Sequence, residues 1–247
     1  KNKSLDFIVT AFDQDAVDFL EEIDLGIYKL ASHSLTNIDL LEYIAKTKKP
    51  VILSTGMCDL DEIKTAAGIF KKHDSNLVLL HCVSAYPTPI EQSNLKMINL
   101  LKKEFDLPIG YSGHEIGFLP TLTAVSMGAV AVERHITLDK NMMGFDHKIS
   151  LEPNDLKEMV EGIRNIEKIK GISDKTISET EMLTRNKYHV SMVSNVEIPQ
   201  GTIIKKDMIT YKNPGTGIPA KKENLVIGKT TKFNIPEDQL LSFDMFE

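Results

Sequence analysis

The first 170 residues of this chain alternate between short apolar runs and longer amphipathic stretches with a steady period. Runs rich in Val, Ile and Leu predict strands at residues 6–12, 27–32, 50–56, 77–83, 108–112 and 130–136. Stretches with helical periodicity follow them, at residues 15–22, 38–47, 60–72, 95–105, 119–127 and 152–170. Apolar strands separated by helices are typical of a parallel sheet that is covered on both faces. The pattern therefore predicts an α/β fold with its ligand site at the C-terminal ends of the strands.

The number of strand–helix units narrows the choice of α/β fold. Six units exceed a small doubly wound sheet and fall two short of a (β/α)8 barrel. We therefore expect residues 1–171 to form a TIM barrel that lacks its first two βα units in this sequence. An open six-stranded sheet is the alternative that the pattern leaves open.

The character of the sequence changes after Gly171. Residues 172–187 are polar and predict a linker. Residues 188–247 carry short β-type runs separated by Gly and Pro, at 189–194, 201–204, 208–211 and 228–232. This composition predicts a second, small, β-rich domain of a size that can form an independent module.

Composition bounds the partners and the compartment. The formal net charge of −6 argues against nucleic acid or an anionic membrane as the main partner. A local basic cluster still allows an anionic small substrate. Cys58 and Cys82 each follow an apolar run, which favours two reduced thiols over a disulfide scaffold. Since we find neither a signal peptide nor an apolar stretch of membrane-spanning length, we expect a cytoplasmic protein.

Two histidines follow neighbouring predicted strands. His114 comes just after the run 108–112 and His135 lies at the end of the run 130–136, with a predicted helix between them. A βαβ unit brings both imidazoles to the same edge of a parallel sheet. There they could share one divalent metal ion or bind a substrate directly, and their spacing does not decide between the two. Asp146 and His147 follow in a polar loop and could add a carboxylate or a third nitrogen.

Small, hydroxyl-bearing or basic residues recur at the ends of four successive predicted strands. They are Lys29 and Ser32, then Ser54, Thr55 and Gly56, then Ser84 and Tyr86, and finally Ser112. Hydroxyls, a lysine and backbone N–H groups at such an edge make a cradle for phosphate. Lys29 stands out because a lysine within a buried strand is costly unless it is paired. A position on an edge strand is the alternative explanation for Lys29.

Seven short motifs form a combination that is more specific than any one of them. They are TAFD at 10–13, YKLAS at 28–32, PVILSTGM at 50–57, HCVSAYP at 81–87, GYSGH at 110–114, ERHIT at 133–137 and KNPGTGI at 212–218. In this order and spacing the first six resemble the N-acetylneuraminate (sialic acid) synthase family. The last is similar to a loop of that family's C-terminal antifreeze-like (SAF) domain. The likeness extends over essentially the whole chain.

The resemblance implies a fold, a reaction and a cofactor. It implies a (β/α)8 barrel joined to a SAF domain at 188–247, in a domain-swapped homodimer. It implies a transferase that condenses phosphoenolpyruvate with an N-acylated hexosamine such as N-acetylmannosamine, giving a nonulosonic acid and phosphate. It also implies a divalent metal ion, Mn²⁺ first, held by His114 and His135.

The resemblance further implies roles for individual residues. Phosphoenolpyruvate would contact Lys29, Ser32, Ser54 and Ser112, and the substrates would contact Ser84, Tyr86 and Asp146. The expected catalytic residues are His114, His135, Asp146 and Tyr86. Lys212 and Asn213, in the SAF domain, are expected at the sugar.

The sequence also departs from the family pattern. The family's opening barrel segment has no counterpart here, so we expect this sequence to be part of a longer enzyme. Ser34 stands where an acidic residue is common, and Asn213 where bacterial members often carry an arginine that Lys212 would replace. These changes leave a legionaminic or pseudaminic acid synthase as an alternative. A catalytically inactive homologue that binds saccharide or protein is the alternative of another class.

Overall fold

The computed structural model describes residues 5–247. The chain divides into two compact units, residues 1–171 and residues 172–247. Among the described residues, every helix is too short or too polar to cross a bilayer.

The first unit is built on one parallel sheet of six strands. The strands are β1 (Val9–Thr10), β2 (Tyr28–Leu30), β3 (Val51–Ser54), β4 (Leu77–Cys82), β5 (Ile109–Gly113) and β6 (Val132–Arg134). Each strand pairs with the next one along the chain, so that the spatial order equals the chain order. A doubly wound sheet reverses its strand order at a switch point, whereas a barrel wall does not.

This topology confirms the predicted α/β fold and gives it the form of a parallel half-barrel. The eight-stranded barrel with two units absent from this sequence stays a prediction. The outermost strands are shorter than the runs that predicted them, since β1 covers only Val9–Thr10 of residues 6–12.

Helices connect the strands and cover the sheet. They are α1 (Gln14–Glu22), α2 (Ile38–Ala45), α3 (Leu60–Lys72), α4 (Lys96–Glu104), α5 (Leu119–Ser126) and α6 (Pro153–Lys170). Side-chain caps fix where several of them begin: Asp13 Oδ1 accepts from the Ala16 N–H at 2.7 Å ahead of α1. Asp59 and Glu62 form a reciprocal capping box at the start of α3.

The core of the first unit lies between the sheet and these helices. Its largest fully buried side chains include Tyr28, Tyr111 and Phe70. Burial of this apolar surface is the main favourable term for the unit. Because the strands are held rigidly by this core, the loops at their C-terminal ends start from fixed positions.

The second unit has its own, smaller core. It contains α7 (Glu179–Tyr188) and an antiparallel pair, β7 (Ser191–Ser194) with β8 (Ile209–Lys212). Its core cluster includes Met192, Ile209 and Leu241. Helix α7 lies largely within residues 172–187, which the sequence predicted as a linker. A capping box between Ser178 and Glu181 starts this helix.

Candidate active site

A cavity of about 590 Å³ opens at the C-terminal edge of the half-barrel. It is lined by side chains from the ends of all six strands. Eight of the predicted site residues line it: Lys29, Ser32, Ser54, Ser84, Tyr86, Ser112, His114 and His135. These eight residues come from the ends of β2 to β6.

Lys29 forms the charged floor of the cavity. Its strand, β2, lies between β1 and β3, so the edge-strand explanation for this lysine is wrong. Its Nζ donates to Ser54 Oγ at 2.9 Å and to the Leu30 carbonyl at 2.8 Å. Burial lowers the pKa of Lys29, and the neighbouring Glu133 carboxylate opposes this effect. A cation held on two neutral acceptors and one carboxylate retains strong affinity for an anion.

Glu133 is a site residue that the sequence analysis did not assign. Its Oε2 lies 3.4 Å from Lys29 Nζ, and its Oε1 accepts a hydrogen bond from Ser112 Oγ at 2.9 Å. The available signal was the two-residue period of a strand, because Glu133 and His135 must point to the same face. Glu133 joins Lys29 and Ser112 into one hydrogen-bonded group across the cavity floor.

A glycine lets three side chains approach the backbone beside Lys29. The Gly56 N–H donates to Ser32 Oγ at 2.9 Å. A Cβ at Gly56 would lie 2.3 Å from Ser84 Oγ and 3.1 Å from Cys82 Sγ. Only glycine therefore fits at this position. Thr55 turns the other way and donates its hydroxyl to the Leu80 carbonyl at 2.9 Å, so it does not join the predicted cradle.

The two candidate metal-binding histidines lie side by side. The ring centroids of His114 and His135 are 5.3 Å apart with the rings steeply inclined. His114 Nδ1 lies 2.9 Å from the Val83 carbonyl oxygen, and His135 Nδ1 lies 3.5 Å from Asp146 Oδ2. A partner at Nδ1 leaves Nε2 of each ring as the free donor atom, which is the usual arrangement of histidines that bind metals.

The pKa values of the two imidazoles shift in opposite directions. Burial acts to lower both. It lowers the pKa of His135, with Asp146 opposing the shift and the nearby His114 adding to it. Burial also acts to lower the pKa of His114, but the contacts with Cys82 Sγ and the Val83 carbonyl outweigh it and raise the pKa. A neutral imidazole at His135 suits a metal ligand.

Tyr86, Asp146 and His147 surround this pair in different ways. The Tyr86 ring centroid lies 4.2 Å from that of His114 and 6.1 Å from that of His135. Asp146 contacts the site through His135. His147 Nδ1 lies 2.7 Å from Thr137 Oγ1, in the following loop. This contact engages Nδ1 only; within the described residues His147 does not complete a group of three ligands with the two imidazoles.

The donor set fits a metal site with two protein ligands. Within residues 5–247, no group of three or more His, Cys, Asp or Glu side chains is arranged to hold a metal ion. The two imidazoles remain, and such a pair leaves most coordination positions to water and substrate.

The rim of the cavity is more apolar than its floor. Phe12, Met57 and Ile136 line it and are largely exposed. The Phe12 ring stacks on His33 with centroids 5.3 Å apart and an angle of 7° between the rings. None of these four residues was predicted to belong to the site. Apolar residues after a strand, such as three of the four, usually pack within a loop.

Lys212 and Asn213 lie in the second unit. Lys212 Nζ pairs with Asp238 Oδ1 at 2.6 Å. Asn213 Nδ2 donates to the Tyr188 carbonyl at 3.2 Å. Both side chains are thus engaged by neighbours of their own unit.

The fold and the cavity together define a class, that of parallel α/β proteins with a barrel-type sheet and a polar site at the C-terminal ends of its strands. Within this class the chain belongs to the NeuB family, whose model matches residues 1–175. The model of the SAF domain matches residues 190–247. The resemblance to the sialic acid synthases, with a C-terminal SAF domain, is thereby confirmed.

Relatives in this family carry names of related synthases. The chain is 41% identical to N,N'-diacetyllegionaminic acid synthase of Campylobacter jejuni, over 98% of this chain and 73% of the relative. It is 38% identical to human N-acetylneuraminate-9-phosphate synthase, over 98% of this chain and 68% of the relative. A crystal structure of N-acetylneuraminic acid (sialic acid) synthetase from Leptospira borgpetersenii, in complex with citrate, is 40% identical with a TM-score of 0.70. That match covers 74% of this chain and 64% of the solved one.

Proposed function

We propose that the full-length protein is a nonulosonic acid synthase that condenses phosphoenolpyruvate with an N-acyl hexosamine and releases phosphate. One observation carries the proposal: a buried lysine, ringed by serine hydroxyls, shares a cavity with a close pair of imidazoles. A phosphate-bearing substrate and a polarisable carbonyl can then lie next to each other. The names of the relatives support the same class of reaction.

The proposed reaction forms one carbon–carbon bond and one carbon–oxygen bond from water, and it breaks the carbon–oxygen bond to phosphate. C3 of phosphoenolpyruvate bonds to the aldehyde carbon of the open-chain sugar, and water adds to C2. The tetrahedral product then breaks its bond from C2 to the phosphate oxygen and releases inorganic phosphate. Lys29, Ser32, Ser54 and Ser112 hold the phosphate throughout, and this arrangement fixes C3 against the aldehyde.

The proposed cofactor is a divalent metal ion bound by His114 and His135, and Mn²⁺ is the preferred candidate. Such an ion polarises the sugar carbonyl when bound. Asp146 orients the His135 ring through Nδ1 and is the candidate for a proton relay to a sugar hydroxyl. Tyr86 packs against His114 and limits where the sugar can lie.

The proposed acceptor is a mannosamine-type sugar such as N-acetylmannosamine. A legionaminic or pseudaminic acid precursor is the alternative, and Ser34 and Asn213 stand where that choice is expected to be made. We further propose a domain-swapped homodimer in which Lys212 and Asn213 approach the partner's sugar. Light scattering during gel filtration of the full-length protein measures this state, and a monomer at assay concentration contradicts it.

The deciding experiment measures phosphate release from phosphoenolpyruvate by the full-length protein with Mn²⁺. The acceptor panel comprises N-acetylmannosamine, its 6-phosphate and diacetamido hexoses. We expect release with one of these sugars, and the preferred sugar identifies the acid that is made. His135→Ala is the matched control, which should fold normally and release no phosphate. If no sugar supports release, the synthase proposal is wrong, and the remaining alternative is a catalytically inactive homologue that binds saccharide or protein.

A further inference from the structure

The two candidate metal-binding histidines have sequence neighbours that form a buried ion pair. Glu115 follows His114, and Arg134 precedes His135. Arg134 Nη1 lies 2.6 Å from Glu115 Oε1, and each side chain is only 2% exposed. Arg134 ends β6 between Glu133 and His135, so alternation along the strand turns its side chain away from theirs, although the residue still borders the cavity.

The guanidinium of Arg134 ties together three segments around the histidines. Nη1 donates to the Gly117 carbonyl at 2.8 Å, in the loop that follows His114. Nη2 donates to the Glu115 carbonyl at 2.7 Å and to the Ile149 carbonyl at 3.4 Å. Ile149 lies in the loop that carries Asp146, the partner of the His135 ring. One side chain therefore fixes both loops to the end of β6.

The carboxylate of Glu115 is held equally firmly. Tyr111 Oη donates to Oε2 at 2.9 Å, and Thr121 Oγ1 donates to Oε1 at 3.2 Å. Tyr111 belongs to β5 and Thr121 to α5. The pair thus connects β5, α5 and β6 at the point where the sheet presents its two imidazoles.

Stability alone is a poor explanation for this pair. A buried ion pair repays its desolvation only with excellent geometry, and well-packed apolar residues often stabilise a fold as well or better. Within residues 5–247, the Nε–H of Arg134 is buried without an acceptor, which adds to the cost. What an apolar pair cannot replace is the planar set of donors that holds three carbonyls in fixed positions.

We infer that Glu115 and Arg134 are positioning residues that set the separation of the His114 and His135 rings for a shared divalent cation. This inference rests on the proposed function, since it takes the two imidazoles as the metal ligands. It goes beyond that function by assigning metal affinity to a pair whose side chains are almost fully buried and are not among the proposed metal ligands.

The test measures Mn²⁺ affinity of the metal-free full-length protein by the electron paramagnetic resonance signal of free Mn²⁺. The central variant is the double substitution Glu115→Met and Arg134→Met, compared with each single substitution. The single variants leave an unpaired buried charge, so we expect their melting temperature to fall by about 10 °C. The double variant should recover most of that loss and still bind Mn²⁺ about 10- to 100-fold more weakly than wild type.

Two further variants sharpen the test. Arg134→Lys keeps the charge but cannot serve three carbonyls, so it should fold and bind Mn²⁺ at least 10-fold more weakly. The control pair is Glu21 with Lys49, 2.9 Å apart at the opposite end of the sheet. Replacing both of these with Met should leave Mn²⁺ affinity unchanged.

The possible failures are distinct. A stable double variant with wild-type Mn²⁺ affinity would overturn the positioning role and leave the proposed function standing. A wild-type protein that binds no Mn²⁺ would overturn the proposed metal site and this inference together. Loss of affinity in the control pair equal to that of the double variant would show a general effect of stability and would also overturn the inference.

Discussion

Lys29 combines a high cost of burial with a clear chemical use. Lys29 is 8% exposed. Within residues 5–247, its ammonium group contacts only Ser54, a carbonyl and the half-exposed Glu133. A phosphate would add a second anionic partner to this ammonium, beside the Glu133 carboxylate at 3.4 Å. Charge-assisted hydrogen bonds of this kind contribute about 1.5–3 kcal/mol. The residue is therefore the best single probe of phosphate binding.

We predict that Lys29→Met raises the KM for phosphoenolpyruvate about 10- to 100-fold, as the loss of one charge-assisted contact requires. The melting temperature should change little, because Glu133 keeps its bond from Ser112 and remains accessible to water. Steady-state kinetics and a thermal melt measure the two quantities. Lys64→Met, in the surface pair with Glu104, is the control with unchanged KM. An unchanged KM in Lys29→Met would contradict the phosphate role.

Met57 shows backbone strain at the rim of the cavity. Its φ is +62°, a left-handed conformation that costs a residue with a Cβ roughly 1 kcal/mol relative to glycine. We predict that Met57→Gly raises the melting temperature of the full-length protein by about 2–4 °C. Met97→Gly, in the first turn of helix α4, should lower it, since glycine disfavours a helix. Calorimetry measures the melting temperature of both variants. A lowered melting temperature for Met57→Gly would refute the proposed backbone strain.

At the scale of elements, the turn after β3 depends on the absence of a side chain at Gly56. An added Cβ would meet Ser84 Oγ at 2.3 Å and Ser32 Oγ at 2.9 Å. We predict that Gly56→Ala displaces these hydroxyls and raises the KM for phosphoenolpyruvate at least 10-fold, the cost of about one hydrogen bond.

The same substitution elsewhere on this unit supplies the control. Gly68 lies on the exposed side of α3, with no atom within 4 Å of an added Cβ. Gly68→Ala should leave KM unchanged and stabilise the helix by about 0.8–1 kcal/mol. Kinetics and thermal melts of both variants separate a local steric effect from a general one. Equal behaviour of the two variants would contradict the close packing at Gly56.

Much of this architecture could be predicted because local patterns and tertiary structure agree. The alternation of apolar runs predicted every strand of the sheet, and polar residues at or just after the ends of five of the six runs led to the cavity. The edge strands are shorter than predicted because no described strand pairs with the outer side of β1. Helix α7 gave no apolar periodicity, since none of its residues is buried. Its start is instead set by the capping box at Ser178, a signal of side-chain hydrogen bonds alone.

The site was predicted less completely than the sheet. The sequence indicates the basic, hydroxyl and imidazole side chains of the site directly, because such groups recur at the ends of its apolar strands. These are Lys29, the serines and the histidines. Glu133 has no such signal until strand register places it beside Ser112 and the half-barrel brings it across the cavity to Lys29. Thr55 shows the converse, because it shares a motif with Ser54 but faces away from the cavity. Strand register decides which side chains face the cavity. Register depends on how each strand pairs with its neighbours, so it cannot be read from one strand alone.

At the scale of the whole molecule, both units expose large apolar side chains, but the first unit gathers many of them beside the outer strands of its sheet. The second unit encloses a core cluster of nine buried hydrophobic residues. The first leaves large apolar side chains exposed beside both outer strands, such as Phe7 at 70% and Leu138 at 85%. Exposed patches of this kind favour association with other apolar surface.

We therefore predict different behaviour when the two units are produced separately. Residues 172–247 should give a cooperative thermal transition, because they enclose a core of their own. Residues 1–171 should bind a hydrophobic dye such as ANS and self-associate, because the edges of the half-barrel lack cover. Each fragment serves as the control for the other in the same buffer. A monomeric fragment 1–171 without dye binding would show that these edges are stable in water, and would remove the physical reason to expect further strands beside β1 and β6.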